Sequence, residues 1–420
     1  MKLCVRLAAL VCFLTMTGTA FGEGFALYEY SARGIALGGA VMARGNPDPS
    51  TIAYNPALMT RLDGLQVQGG LTAILPRGSM EWTTPTGENG TSQLKDSSWF
   101  MPHAYLSYQI SDDWFFGVGE FTRFGLGFEY PNDWPGRFNV YEVALTTFSI
   151  NPNIAWKATD KLSLAAGVEV MYVNLDLRSR SSLPHPTLPV SAEMDVNIKG
   201  ADAWGVGGNF ALHYQFTDQW AVGLSYRSKV RVHAFGDVSF NYVSGSQMLY
   251  DGYGAKNGTA HAAVVFPDSV SGGISFTPIP ELSFEVGAVW TRWSTFRSLN
   301  ISFPSPVGQK QNIKHWGDAM RWNAGVEWQA LDWLTLRGGF VYDESPMREG
   351  WEDYLVPTND RYIWSAGLGF HWDNWTVDVS AAFIDALGRK YSYNENTHVL
   401  HSRAKASDTY IYSLSVGYKF

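Results

Sequence analysis

The sequence predicts an all-β fold, namely a 14-stranded antiparallel transmembrane β-barrel with an N-terminal hatch inside its lumen. Three observations support this prediction: segments in which aromatic or aliphatic residues alternate with small or polar ones, short acidic turns between these segments, and no apolar run beyond residue 22 long enough for a spanning helix. The composition agrees, because 15% of the 420 residues are aromatic and only 17% are charged. Soluble chains carry about 25% charged residues.

Residues 1–22 have the pattern of a secretory signal peptide. A basic start precedes an apolar stretch, and Ala20 and Gly22 supply the small residues of a cleavage site. Both cysteines, Cys4 and Cys12, lie in this segment, so we expect a mature chain without thiols. Loss of its two basic residues changes the formal net charge from −8 to 29 − 39 = −10. An acidic chain argues against a nucleic-acid partner.

Residues 23–64 lack the alternation of a strand, and we expect them to form the hatch. A barrel of 14 strands is too wide to be filled by its own side chains. The segment is rich in Gly and Ala, and apolar residues such as Phe25 and Leu27 distinguish it from a disordered periplasmic tail. Proline fixes φ and asparagine bonds nearby backbone, so Asn55, Pro56 and Ala57 are expected to form a tight turn that anchors the hatch to the wall.

Residues 65–420 carry the alternation expected of barrel strands. Within 362–372, aromatic and aliphatic residues occupy one parity, and small or polar residues occupy most of the other. A soluble antiparallel sheet also alternates, but we expect its apolar face to favour Val, Ile and Leu and its polar face to be dense in charge. A face rich in Trp and Tyr opposite one rich in Gly, Ser and Asn instead indicates lipid outside and a polar lumen inside.

The turns give the number of strands. Six short acidic turns each join two alternating segments, at 112–114, 159–162, 217–220, 280–282, 332–333 and 373–375. Six hairpins, an opening strand at 65–76 and a closing strand give 2 × 6 + 2 = 14 strands. Four turns carry a tryptophan (Trp114, Trp220, Trp333 and Trp375), which predicts an aromatic girdle at the periplasmic interface.

Several segments, in this order along the chain, resemble the FadL/TodX family of outer-membrane transporters for long-chain fatty acids and other hydrophobic compounds. They are residues 24–34, 48–51, 54–57, 225–230, 343–346 and 360–367, and the chain ends on Phe420, as outer-membrane barrels usually do. The resemblance implies a hatch, a hydrophobic pocket near its N-terminus, to which we assign Phe25 and Leu27, and a side opening where the third strand kinks inward. It leaves open whether the substrate is a fatty acid or an aromatic hydrocarbon.

The third strand, residues 114–130, has glycines at 117, 119, 125 and 127, all on one parity. Glycine permits a bend or bulge, and a gap in the wall is tolerable where backbone bonds to water or hatch. Since the family's kink lies in this strand, we predict a lateral opening formed by Arg123, Phe124, Gly125 and Gly127 between the second and third strands. The alternative is that the glycines only shape the lumen.

The remaining chemistry points to transport and not to catalysis. We find no nucleophile elbow, zinc motif or nucleotide-binding loop, and we expect no catalytic residue, metal or cofactor. Among the lumen charges, which we expect to be paired, Arg361 is the candidate partner of a substrate carboxylate. The expected partners are a hydrophobic small molecule and outer-membrane lipid, and the expected state is a monomer. Two alternatives remain, a diffusion porin for hydrophilic solutes and a barrel enzyme.

Overall fold

The computed structural model describes residues 24–405 and 408–420. They form a closed antiparallel barrel whose sheet contains 19 strand segments. Five barrel strands consist of two segments each, so 19 − 5 = 14 strands, as the turns predict. The last strand pairs with the first, with Lys419 opposite Gln66, which closes the barrel. The predicted signal peptide, residues 1–22, lies outside the described residues.

The strand segments are, in chain order, β1 (Leu65–Pro76), β2 (Ser79–Thr83), β3 (Asn89–Gln93), β4 (Trp99–Gln109), β5 (Trp114–Phe121), β6 (Gly125–Glu129), β7 (Glu142–Lys157), β8 (Leu162–Pro184), β9 (Ser191–Gln215), β10 (Trp220–Arg227), β11 (Val230–Gly245), β12 (Gly258–Phe266), β13 (Ser269–Ile279), β14 (Leu282–Thr291), β15 (Ser298–Ser302), β16 (Gln309–Ile313), β17 (Ala319–Leu331), β18 (Leu334–Asp343), β19 (Arg361–Trp372), β20 (Trp375–Ala386), β21 (Arg389–Tyr391), β22 (His401–Ala404) and β23 (Asp408–Lys419). Strands β2, β3, β21 and β22 form a separate sheet in the loops at the long-loop end.

The helices are short. They are the α-helices α1 (Ala32–Ala36), α2 (Thr51–Tyr54) and α3 (Gln247–Tyr253), and the 3-10 segments Pro56–Arg61, Pro135–Phe138 and Trp293–Thr295. Within the described ranges, no helix has both the length and the apolarity needed to cross a membrane.

The alternation sorts the side chains of each barrel strand into an outer and an inner set. On β17, Trp322 is 50% exposed on the outside, whereas its neighbours Arg321 and Asn323 are buried. The turn residues Trp114 and Trp375 are also exposed on the outer surface, at the short-turn end. In outer-membrane barrels the short turns are periplasmic and the long loops extracellular, which orients the molecule.

The N-terminal segment, defined here as residues 24–64, contacts inward-facing side chains of several strands. Glu285 of β14 accepts hydrogen bonds from the backbone N–H groups of Met42 and Ala43, at 2.5 and 3.1 Å. The Arg33 guanidinium donates to Glu327 of β17 at 2.9 Å. These contacts give partners to the buried Arg33 guanidinium and to the buried Glu285 carboxylate.

The third barrel strand is interrupted. It consists of β5 and β6, with residues 122–124 between them. The interruption reverses the alternation: Gly117 and Gly119 of β5 face the N-terminal segment, whereas Phe128 of β6 is buried in the inner cluster. The four glycines of this strand therefore do not lie on one face, although their sequence spacing places them on one parity. An irregularity of this kind turns every following side chain to the other face.

Candidate functional site

The start of the N-terminal segment places Phe25 inside an aromatic cage. Its ring centroid lies 4.7 Å from that of Trp293, 5.4 Å from Phe296 and 5.9 Å from Phe124, all in edge-to-face geometry. Gly24 has a φ of +61° and lies so close to Trp293 that a Cβ atom there would be 2.7 Å from the indole. Edge-to-face rings contribute attraction beyond the burial of their area. The cage thus forms an apolar site at the tip of the segment.

The same residues replace a missing strand partner at the interruption. Leu27 N–H donates to the carbonyl of Arg123 at 2.9 Å, and Gly125 N–H donates to the carbonyl of Phe25 at 3.0 Å. Ala26 and Phe124 form an antiparallel bridge. The backbone at the interruption is therefore hydrogen-bonded to the N-terminal segment, as buried backbone requires.

Beside this contact the wall has a gap between the second and third barrel strands. The ladder between β4 and β5 ends at the pair of Ala104 and Glu120. Among the residues that the structure describes, residues 99–103 of β4 pair with β1 but have no ladder partner on their other side, and β6 pairs only with β7. Lys95 N–H donates to the carbonyl of Glu129 at 2.7 Å and closes the gap at its outer end. We call this region the wall gap.

A cavity of about 120 Å³ extends from the aromatic cage to the wall gap. Phe25 and Leu27 line it on the inside, and Phe100, which is 62% exposed on the outer surface, lines it at the wall. An apolar cavity of about 150 Å³ in another protein admits benzene, so the volume here suits one ring or a short alkyl segment. The Trp99 indole fills part of the gap, because a Cβ at Gly127 would lie 2.1 Å from it.

Arg361 lies in the lining of this cavity, at the outer end of β19. Its Nε donates to Asp343 at 2.7 Å, and Arg321 lies 3.5 Å from the same carboxylate oxygen. The guanidinium thus has a fixed partner and still reaches the cavity. A planar cation with several donors suits a second carboxylate.

Arg123 points away from the gap into the lumen and joins a buried charge network. It donates to Glu169 at 2.8 Å, and Arg227 lies 3.9 Å from the same oxygen. Arg227 in turn donates to the carbonyls of Ile52 and Ala53, at 3.0 and 2.9 Å. The network therefore connects the interruption of the third strand with the middle of the N-terminal segment.

Asn55 is fully buried and fixes the second half of the N-terminal segment. Its Nδ2 donates to the carbonyls of Met42, at 2.6 Å, and of Leu212 in β9, at 3.1 Å. Its Oδ1 accepts from Ala57 N–H, which caps the 3-10 helix that begins at Pro56. One side chain thus bonds the segment to itself and to the wall.

Tyr54, one residue earlier, holds the two halves of the segment together. Its hydroxyl donates to the carbonyl of Tyr28 at 3.0 Å and accepts from Tyr30 N–H at 3.3 Å. Burial raises the pKa of the Tyr54 hydroxyl well above its usual range, so the group stays a neutral donor. Ionisation of this tyrosine therefore plays no part at physiological pH.

The comparisons with known proteins agree with this geometry. The family described as "Outer membrane protein transport protein (OMPP1/FadL/TodX)" matches residues 13–420. The chain belongs to this family. The long-chain fatty acid transport protein of Escherichia coli K12 is 24% identical, over 96% of this chain and 95% of its own. The 47 kDa outer membrane protein of Pasteurella multocida is 25% identical, over 96% of both chains.

Solved structures share the fold. A Pseudomonas aeruginosa FadL homologue covers 95% of this chain and 100% of its own, with a TM-score of 0.82 and 20% identity. The Pseudomonas putida toluene transporter TodX covers 95% of this chain and 100% of its own, with a TM-score of 0.75 and 19% identity. The OMPP1/FadL/TodX family consists of outer-membrane transport proteins, and this barrel is one of them.

The structure brings together most of the residues singled out from the sequence. Phe25, Leu27, Gly125, Gly127 and Arg361 all line one cavity, and Phe124 contacts it through the Phe25 ring. Asn55, Pro56 and Ala57 lie apart from it, at the wall near β9. Sequence reasoning missed the cage residues Trp293 and Phe296, because they lie outside the alternating segments. Within the described ranges, no group of three or more His, Cys, Asp or Glu residues is arranged to hold a metal ion.

Proposed function

We propose that this barrel takes up hydrophobic small molecules, long-chain fatty acids or related compounds, down their gradient across the outer membrane. In this scheme residues 1–22 are the signal peptide, 23–64 the hatch and 65–420 the barrel. The substrate is captured at the extracellular side, the hatch rearranges, and the substrate leaves sideways into the bilayer. The observation that carries the proposal is one apolar cavity that begins at Phe25 and reaches the lipid-facing Phe100 through the wall gap.

The relatives support the substrate class but not a particular substrate. One is named a long-chain fatty acid transport protein and another a toluene transporter. The small cavity suits a single ring, whereas a long acyl chain requires Leu27 and the start of the hatch to move. Arg361 is the proposed contact for a carboxylate if the substrate carries one. Lateral exit suits a ligand too apolar for the aqueous periplasm.

Binding to the purified barrel should become tighter with alkyl length. Each buried CH₂ contributes about 0.8 kcal/mol, which is about fourfold in affinity. The experiment measures dissociation constants for fatty acids and for alkylbenzenes of increasing length, each series at one pH. Equal affinity along both series would contradict hydrophobic capture, and a rise in one series alone would identify the substrate class. A small hydrophilic sugar serves as the control ligand and should show no binding.

The double variant Asn55→Ala with Pro56→Ala should lower uptake while the barrel stays folded. It removes the cap and the bonds to Met42 and Leu212, and the buried Met42 carbonyl, which lies outside the ladders, loses its partner at a cost of about 1–3 kcal/mol. The control is Asn46→Ala, since Asn46 is an exposed residue of the same segment. Uptake is measured in cells and folding by heat-dependent migration on gels. Unchanged uptake in the double variant would count against its role as hatch anchor.

A further inference from the structure

Glu120 is a carboxyl group on the lipid-facing side of the wall. In β5 the inward positions are Phe115, Gly117, Gly119 and Phe121, and Glu120 shares its parity with the exposed Trp114. Its cross-strand partners are Ala104 and Ile150, of which Ile150 is exposed on the outer surface. The neighbours of Glu120 on this face are thus apolar. Packing against them does not explain why the residue is acidic.

The position of Glu120 along the strand puts it deep in the apolar band. Trp114 marks the periplasmic interface, and Glu120 follows six residues later. With a rise of about 3.3 Å per residue and a tilt of about 40°, six residues advance about 15 Å along the barrel axis. The apolar band is about 25 Å tall. Ionisable residues at such depth are costly and are by default candidates for function.

Glu120 also lacks a partner. Its Oε1 is buried and accepts no hydrogen bond from the residues that the structure describes. Thr122 Oγ1 and Trp99 Nε1 are likewise buried without a hydrogen-bond partner. Most buried polar groups in proteins are paired, so three unpaired ones in one region call for an explanation. All three border the wall gap: Glu120 lies in its last ladder pair, and Thr122 and Trp99 line the cavity.

We propose that Glu120, together with Thr122, binds the polar head of an amphipathic substrate as it passes through the wall gap. The head is an O–H group, from an alcohol or an undissociated carboxylic acid, and it donates to a carboxyl oxygen of Glu120 while the alkyl chain enters the lipid. Carboxyl oxygens accept hydrogen bonds in either protonation state. Glu120 is then a specificity-determining residue that favours substrates with a polar head over bare hydrocarbons. This inference rests on the proposed lateral exit.

The test compares uptake of dodecanol, dodecanoic acid and dodecane, which share one chain length. In Glu120→Leu, uptake of the alcohol and the acid should fall about fivefold, the effect of losing one hydrogen bond, while dodecane uptake stays unchanged. Glu120→Gln keeps an acceptor oxygen and should remain within about twofold of the parent. Thr122→Val should show the same selective fall to a smaller degree. Asp237→Leu, which removes an exposed carboxylate from β11, is the control.

The possible outcomes separate the role of Glu120 from hydrophobic uptake itself. Glu120→Leu replaces a carboxyl group by an apolar side chain on the lipid face, so the barrel should fold and resist heat at least as well as the parent. An equal fall for all three compounds, or no fall, would overturn the role of Glu120 but leave hydrophobic uptake intact. A fall for the acid alone would show that the contact depends on a carboxyl group of the substrate, and would contradict an O–H contact shared by alcohol and acid. If the parent barrel takes up none of the three, the head-group role of Glu120 fails, whereas the proposed hydrophobic uptake fails only if alkylbenzenes are not taken up either.

Discussion

Uptake of hydrophobic compounds should drop to background when a disulfide joins positions 99 and 127 across the wall gap, and reduction should restore it. The variant combines Trp99→Cys and Gly127→Cys in a mature chain that is expected to contain no other thiol. The indole of Trp99 lies directly against Gly127, where a Cβ would be 2.1 Å from Cε2, so the two positions face each other across the gap. The bond ties β4 to β6 where no ladder joins them among the described residues.

The matched control is a disulfide between the same two barrel strands below the gap. Tyr108 and Phe116 are direct cross-strand partners, and Tyr108→Cys with Phe116→Cys links positions that the ladder already holds together. This bond should leave uptake unchanged in both redox states. Gel migration with and without reductant shows the extent of cross-linking. Full transport by the oxidised 99–127 variant would refute lateral exit and leave passage through a displaced hatch.

The fold was predictable from the sequence because lipid surrounds the barrel. The strands therefore alternate between apolar residues outside and small or polar residues inside, and this alternation is visible in the sequence itself. The alternation around Trp322 and the acidic turns before Trp114 and Trp375 predicted the number of strands. They also predicted that the short turns lie at one end of the barrel. The sequence predicted an opening in the third strand, but not the change of parity at residues 122–124. A shift of parity depends on how Arg123 and Phe124 both turn inward, and that is determined by Glu169 and Phe25, which are distant in sequence.

The candidate site was predictable only in part, because it too depends on contacts between residues that are distant in sequence. Phe25, Leu27 and Arg361 followed from the resemblance and from the lumen charges, whereas the aromatic cage is assembled from loops without any period. Glu120 escaped notice because the sequence alone does not reveal that its carboxyl group is unpaired; only the neighbours Ala104 and Ile150, from two other strands, show that. Long-range pairing, and not local propensity, supplies this information.

Replacing Glu169 by glutamine should strongly destabilise the barrel. The side chain is fully buried, lies between Arg123 and Arg227, and accepts a hydrogen bond from Ser149 at 2.7 Å. Glutamine keeps the shape but removes the charge, which leaves two buried guanidinium groups close together without their counter-ion. Breaking a buried pair in this way costs about 3–5 kcal/mol. The temperature at which the folded barrel loses its fast gel migration should therefore fall clearly.

Uptake in Glu169→Gln should fall as well, because Arg227 holds the carbonyls of Ile52 and Ala53 and Arg123 holds the interrupted strand. The control is Ser149→Ala, which removes the hydroxyl hydrogen bond to the same carboxylate and leaves both ion pairs. Its expected cost is about 1.5–3 kcal/mol, the usual value for a hydrogen bond to a charged group. If both variants lose the same stability, the charges contribute nothing beyond the hydrogen bond. If Glu169→Gln is unstable yet transports normally once folded, the network supports the barrel but does not couple the hatch to the wall gap.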